Sequence, residues 1–136
     1  MAATNNRPLS PHLSIWRWGP GMTVSILHRI TGAGLSILGL ALLTWWLMAL
    51  SGGAESYNSF LETLWARPAG IPIGLIVMIG LTWAFFQHLF SGVRHLVMDS
   101  GAGFELNTNK RWAIVTIVAS VLLTAVVWAY LLGALK

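Results

Sequence analysis

An all-α integral membrane bundle, three transmembrane helices with one short interfacial helix, is the fold this sequence predicts. Composition is the first reason: 56% of the 136 residues are hydrophobic and 9% charged, far from the balance of a soluble domain. The second is length. About Met22 to Leu50, about Ile71 to Met98 and about Trp112 to Leu135 each exceed the ~20 helical residues that cross a hydrocarbon core. The remainder is short connections, so 1–136 reads as a single membrane domain, and any large catalytic apparatus must lie on another chain.

In the first span, Ser25, Arg29, Gly32, Ser36 and Gly39 recur every three or four residues and so share one helix face. The small residues of this stripe read as a packing seam. Arg29 precedes the uncharged run Ile30 to Leu50, which puts it at the membrane boundary. There it is either a simple interfacial anchor or a residue with chemistry to do. After the first span, Tyr57, Phe60, Leu61, Leu64 and Trp65 follow the spacing of an amphipathic helix. This is the interfacial element, a lid without evident chemistry, and Pro68, Gly70 and Pro72 end it.

The second span runs Ile71 to Met98, or ~42 Å against a core of ~30 Å, so one end protrudes or tilts. Counting ~20 residues of core from Ile71 leaves Gln87 and His88 inside the bilayer, with Arg94, His95 and Asp99 at or beyond the headgroups. His88 is thus the deepest ionisable group of the chain, and such groups in a membrane mark function by default. Two readings fit it: a neutral imidazole bonded to a backbone carbonyl, or a cofactor ligand. Gly92, one turn away on the same face, leaves space for a flat ring system or for helix packing. His95 lies ~10.5 Å further along the helix, too far to share one iron with His88. If the cofactor is haem, the opposing ligand comes from the first span, where His28 is the internal candidate, or from another subunit.

The third span looks like scaffold. Thr116, Ser120 and Thr124 step every four residues as a packing or backbone-bonding face, and Trp112, Trp128 and Tyr130 suit aromatic belts.

Charge gives orientation. Arg7, Arg17 and Arg29 flank the start of the first span and Arg94, Lys110 and Arg111 surround the last connection, whereas the first loop sets Arg67 against Glu55 and Glu62. By the positive-inside rule the N-terminus is cytoplasmic, the interfacial helix and the C-terminus periplasmic. The net charge of +4 is then explained without nucleic acid. No cysteine is present, which excludes disulfides, iron–sulfur ligation and thiolate-bound haem in this chain. The polar, proline-rich start fits neither a cleavable signal nor a mitochondrial presequence. A multi-pass protein of a bacterial inner membrane is expected.

Taken in order, Arg7-Pro-Leu-Ser-Pro-His12, Ser25-Ile-Leu-His-Arg-Ile-Thr-Gly32, and His88 and His95 six residues apart with Arg94 before and Asp99 after resemble the cytochrome b556 membrane-anchor subunit of succinate dehydrogenase, respiratory complex II. The resemblance covers the whole chain. It implies a haem b held between this chain and a second small membrane subunit. It implies docking of a flavoprotein with FAD and of an iron–sulfur subunit on the cytoplasmic or matrix side, with electrons passing from succinate to ubiquinone. Succinate would be oxidised on the partner chains, so the enzyme activity belongs to the assembly. Carried over by residue, the axial ligand falls on His88 and the quinone site on Ser25 and Arg29. His28 falls near the haem propionates, with Arg29, Arg94 and His95 near that edge too and Asp99 as a polar or proton support. A fumarate reductase anchor working with menaquinol and a small non-redox scaffold or transporter are the competing readings.

Overall fold

The computed structural model describes residues 16–134, and its regular elements there are all helical. The Arg7 to His12 motif lies outside the described residues. Three helical segments are long and apolar enough to cross a membrane: Pro20–Ser51, Ile73–Asp99 and Leu106–Ala134. The chain is therefore a multi-pass all-α membrane protein.

The first span is made of α1 (Pro20–Gly34), a π-helical turn (Leu35–Gly39) and α2 (Leu40–Ser51). Pro20 opens it at a first-turn position, where a fixed φ helps and a missing N–H costs nothing. The π turn accommodates one extra residue relative to α spacing and rotates everything beyond it. The predicted stripe is broken there. Gly32 packs inward, Ser36 is exposed, and Gly39 turns to a cavity at the far end of the bundle beside Trp46 and Phe60. The spacing argument assumed an uninterrupted helix, and the π turn removes that assumption.

The predicted amphipathic helix is present as α3, Gly53–Trp65. Gly53, at φ 82°, makes the reversal that a side chain would resist. Phe60 is buried, with its ring 4.6 Å from that of Trp45, and Tyr57, Leu61 and Leu64 are half-buried; Trp65 stays on the outside. Pro68–Gly70 forms a short 3-10 turn, and α4 (Ile73–Asp99) begins after Pro72. A Cβ on Gly74 would collide with the Leu64 carbonyl, so only glycine lets α4 leave against α3 this closely.

The last helix, α5 (Leu106–Ala134), starts before the apolar run expected from about Trp112. The Asn109 N–H donates to the Glu105 carbonyl at 2.8 Å, and the Thr108 hydroxyl donates to the Glu105 carboxylate at 3.0 Å. Residues 106–111 are good helix but poor membrane, so hydropathy passes over them.

In the bundle, α4 packs against both α1 and α5, and α5 also touches α1. The interior is polar and small: Thr31, Gln87, Ser91, Thr116, Ser120 and Thr124 are buried beside Val24 and Ala113, while most large apolar side chains face out. This is the membrane pattern, because lipid already solvates Leu and Ile and leaves close packing and hydrogen bonds to hold helices together. The expected packing face of the third span is borne out by Thr116, Ser120 and Thr124. Trp112 and Tyr130 are exposed as aromatic belts require, but Trp128 is only 8% exposed and belongs to the interior instead.

Candidate functional site

Near one end of the bundle α1 and α4 bring three imidazoles together. The rings of His28 and His88 stack face to face, centroids 4.0 Å apart and planes within 6°. His95 lies against His28 at 5.4 Å and 56°. The stack forms because His28 is on the α1 face that packs on α4, while His88 and His95, seven residues apart, share the α4 face that packs on α1.

Three neighbours from α1 meet one edge of His88. Its Nδ1 lies 3.1 Å from the backbone carbonyl of His28 and 3.4 Å from the Thr31 hydroxyl. The Thr31 hydroxyl is itself bonded back to the Leu27 carbonyl at 2.7 Å. Along the same edge of the ring, Gly32 comes so near that a Cβ there would sit 2.9 Å from His88 Cε1 and 3.4 Å from Nδ1. A carbonyl oxygen can only accept, so the proton belongs on Nδ1 and neutral His88 keeps its lone pair on Nε2. This is the pattern of metal-ligating histidines, where an outer hydrogen bond fixes tautomer and ring orientation.

The same geometry decides His28. Two imidazoles on opposite sides of one metal have nitrogens ~4 Å apart and ring centres further still. Parallel rings at 4.0 Å between centroids leave no room for a metal between them. His28 is therefore not the opposing ligand within this chain. Among the described residues its buried Nδ1 has no hydrogen-bond partner, which leaves a polar atom for a group brought from elsewhere. Among the described residues no group of three or more His, Asp or Glu side chains is arranged to hold a metal ion alone.

Ser25 is half-buried and Arg29 exposed, one turn apart on α1 at the rim of the face that carries His28. Both are open to a ligand or another chain rather than taken up in the core. Arg94 is elsewhere. Six residues beyond His88, it lies about 120° round the helix and faces α5. There it donates from Nη2 to Asn109 Oδ1 at 2.6 Å, close to Gly21 of α1. Asp99 is exposed at the end of α4, one turn beyond His95 on the same face.

Three features of this region escaped the sequence. The cradle of Thr31 and Gly32 was visible only as part of a motif. Asn109 lies in a polar stretch without a pattern. A buried network of Gln87, Ser91 and Ser120 also ties α4 to α5. Gln87 Nε2 donates to Ser91 at 3.1 Å, and the Ser120 hydroxyl lies 2.8 Å from Gln87 Oε1. The signal for it was a glutamine deep in an apolar span.

Fold and site define a small multi-pass helical membrane protein with an imidazole cluster near one end. The chain matches the succinate dehydrogenase/fumarate reductase transmembrane subunit family over residues 3–127. It is 38% identical over 120 residues to the succinate dehydrogenase cytochrome b556 subunit of Paracoccus denitrificans, covering 87% of this chain and 86% of that one. Likeness to the corresponding subunit of Rickettsia felis is 38% over 124 residues, 91% and 92% of the two chains. With the mitochondrial cytochrome b560 subunit of Homo sapiens it is 35% over 122 residues, 87% and 68%. The chain belongs to this family of succinate dehydrogenase and fumarate reductase transmembrane subunits.

Proposed function

We propose that this chain is a membrane anchor of succinate:ubiquinone oxidoreductase that holds haem b together with a second small membrane subunit and completes the ubiquinone site. The observation that carries the reading is the hold on His88: Nδ1 bonded to the His28 carbonyl at 3.1 Å, with Nε2 left as a neutral donor to iron. The stacked pair could not give a second ligand to the same metal, so His88 would hold the haem from this chain and any second ligand would come from the partner membrane subunit. His28, with its unpartnered buried Nδ1, and His95 beside it are the groups of this chain for the haem propionate edge.

When bound, the haem supplies a one-electron store at the membrane boundary. This chain's own residues bind and orient. Reduction of a quinone places negative charge on its carbonyl oxygens, and a positioned hydroxyl with a guanidinium one turn away stabilises that charge. Ser25 donates and Arg29 supplies the cation. Neither side chain is redox-active, so succinate oxidation belongs to the partner flavoprotein with FAD and to the iron–sulfur subunit. These dock at the end of the bundle where Gly21, Arg94 and Asn109 meet, near Arg17, Arg29, Lys110 and Arg111. That concentration of positive charge supports a cytoplasmic placement of this end and a periplasmic C-terminus.

The test is His88→Leu in the assembled complex. A reduced-minus-oxidised spectrum should lose or convert the b-type signal, while succinate oxidation by an artificial acceptor continues. An unchanged low-spin spectrum refutes the assignment.

A further inference from the structure

Thr31, 2% exposed on α1, places its hydroxyl oxygen 3.4 Å from His88 Nδ1. Which of the two atoms donates is decided by their other partners. His88 Nδ1 lies 3.1 Å from the His28 carbonyl, which can only accept, so Nδ1 carries the proton. The Thr31 hydroxyl has a single hydrogen, and the Leu27 carbonyl at 2.7 Å takes it in preference to the His28 carbonyl at 3.2 Å. Toward His88 the oxygen therefore turns a lone pair. The Nδ1–H is shared between two acceptors, a carbonyl at ordinary length and a hydroxyl oxygen at the long end of the range.

These acceptors differ in kind. The His28 carbonyl is backbone and stays the same whatever side chain stands at that position. Thr31 is the side chain whose identity sets whether Nδ1–H has one acceptor or two. Its burial makes that identity matter, because water does not reach the place to supply a missing oxygen. An acceptor on the outer N–H of a metal-bound imidazole raises the basicity of the ring, and such hydrogen bonding is one of a protein's levers on a haem potential.

We propose that Thr31 is a positioning residue that lowers the midpoint potential of the haem held by His88, by offering a second lone pair to the Nδ1–H. The inference rests on His88 as the axial ligand. The more electron density Nε2 presents, the more the oxidised iron is favoured over the reduced, so the hydroxyl holds the potential down. Gly32 has a different part: it governs where the ring sits, whereas Thr31 governs how good a donor its far nitrogen is.

The experiment is a redox titration of the b-type optical signal in the purified complex, with haem per flavin counted in the same samples. Thr31→Val puts a methyl group where the hydroxyl stands and removes the second acceptor. Haem should stay bound, with the preference for the oxidised over the reduced form lowered by roughly two- to five-fold, a rise of roughly 20–40 mV at about 59 mV per tenfold for one electron. Thr31→Ala removes the same oxygen without setting a group against the Leu27 carbonyl and should shift the potential the same way, so the result does not depend on valine being accommodated. Thr31→Ser keeps the lone pair and should titrate with wild type. His88→Leu, run in parallel, tests the ligand itself: an unchanged low-spin spectrum there refutes the axial reading. Loss of that spectrum in His88→Leu, combined with a wild-type potential in both hydroxyl-free variants, overturns the role of Thr31 alone. A shift of equal size in Thr31→Ser, or a lowered potential without the hydroxyl, overturns it as well.

Discussion

Replacing Gly32 by alanine adds one methyl group to the site and tests whether His88 must sit where the structure puts it. The new Cβ would lie 2.9 Å from His88 Cε1, where ordinary contact begins at 3.4 Å, so the ring has to move by about half an ångström. That motion acts directly on the 3.1 Å bond from Nδ1 to the His28 carbonyl and on the 3.4 Å approach of Thr31. Functional geometries tolerate displacements of only ~0.5 Å, and losing an outer partner of a metal-bound histidine costs ~10–100-fold in affinity. Haem content per flavin in the purified complex, read from the reduced-minus-oxidised spectrum during haem titration, should fall accordingly. Gly34→Ala is the control, since a Cβ there meets nothing within 4 Å. It gains ~1 kcal/mol of helix propensity and should leave haem untouched. Wild-type haem affinity and an unchanged midpoint potential in Gly32→Ala would refute the claim that this contact positions the ligand.

Five other outcomes are expected. Ser25→Ala and Arg29→Leu should each lower succinate–quinone turnover far more than haem content or flavin reduction, by less than the ~10²–10³ typical of lost oxyanion donors because water partly substitutes at a membrane boundary. Arg29→Lys separates the two roles of that residue: an anchor is fully rescued by a snorkelling ammonium, whereas a site that uses the planar fork is not, and wild-type turnover with unchanged quinone KM would favour the anchor. Ser120→Ala leaves buried Gln87 Oε1 without its 2.8 Å partner and should destabilise the solubilised complex by ~1–3 kcal/mol, and adding Gln87→Leu and Ser91→Ala should recover much of it. Recovery absent by thermal dissociation assay would mean the network is not the source. Gly74→Ala should detach α3 from α4 through the clash with the Leu64 carbonyl, seen as new protease access at 66–72. A reporter fused after Lys136 should be periplasmic and one between Gly101 and Asn109 cytoplasmic; the reverse would undo the charge argument.

The spans were legible because crossing a bilayer demands a run of apolar residues whose length is fixed by the solvent. The α3 face was legible because Tyr57, Phe60, Leu61 and Leu64 repeat with a helical period that no break interrupts. Two departures from the sequence pattern have different causes. The stripe through Ser36 and Gly39 assumed constant helical spacing, and the π turn at Leu35–Gly39 breaks it. The start of α5 was put too late because Asn107 to Arg111 are helical outside the hydrocarbon, where hydropathy carries no signal. His88 stood out as the deepest ionisable residue, but its partners did not. The His28 carbonyl is backbone and Gly32 acts through the absence of a side chain, and neither leaves a mark that sequence pattern can register.

The polar network and the histidine cradle solve one problem from two sides of α4. Gln87 and His88 are neighbours in sequence and so point about 100° apart. One reaches Ser120 on α5 and the other reaches His28, Thr31 and Gly32 on α1. In lipid the burial of leucine or valine gives little preference for one helix rotation over another, because the outside is as apolar as the inside. A buried amide oxygen met by the Ser120 hydroxyl does give one, since turning α4 away strands Oε1 in a medium without water, while the amide N–H keeps Ser91 on its own helix. Further along, Arg94 and Asn109 repeat the device at 2.6 Å where α4 ends and α5 begins. The rotation of α4 is thus set by polar contacts to α5, and the α1 side of the helix is left to present an imidazole whose tautomer a backbone carbonyl has already chosen. Scaffold and site are coupled through adjacent residues, and that is why a third span with no chemistry of its own bears on the position of His88.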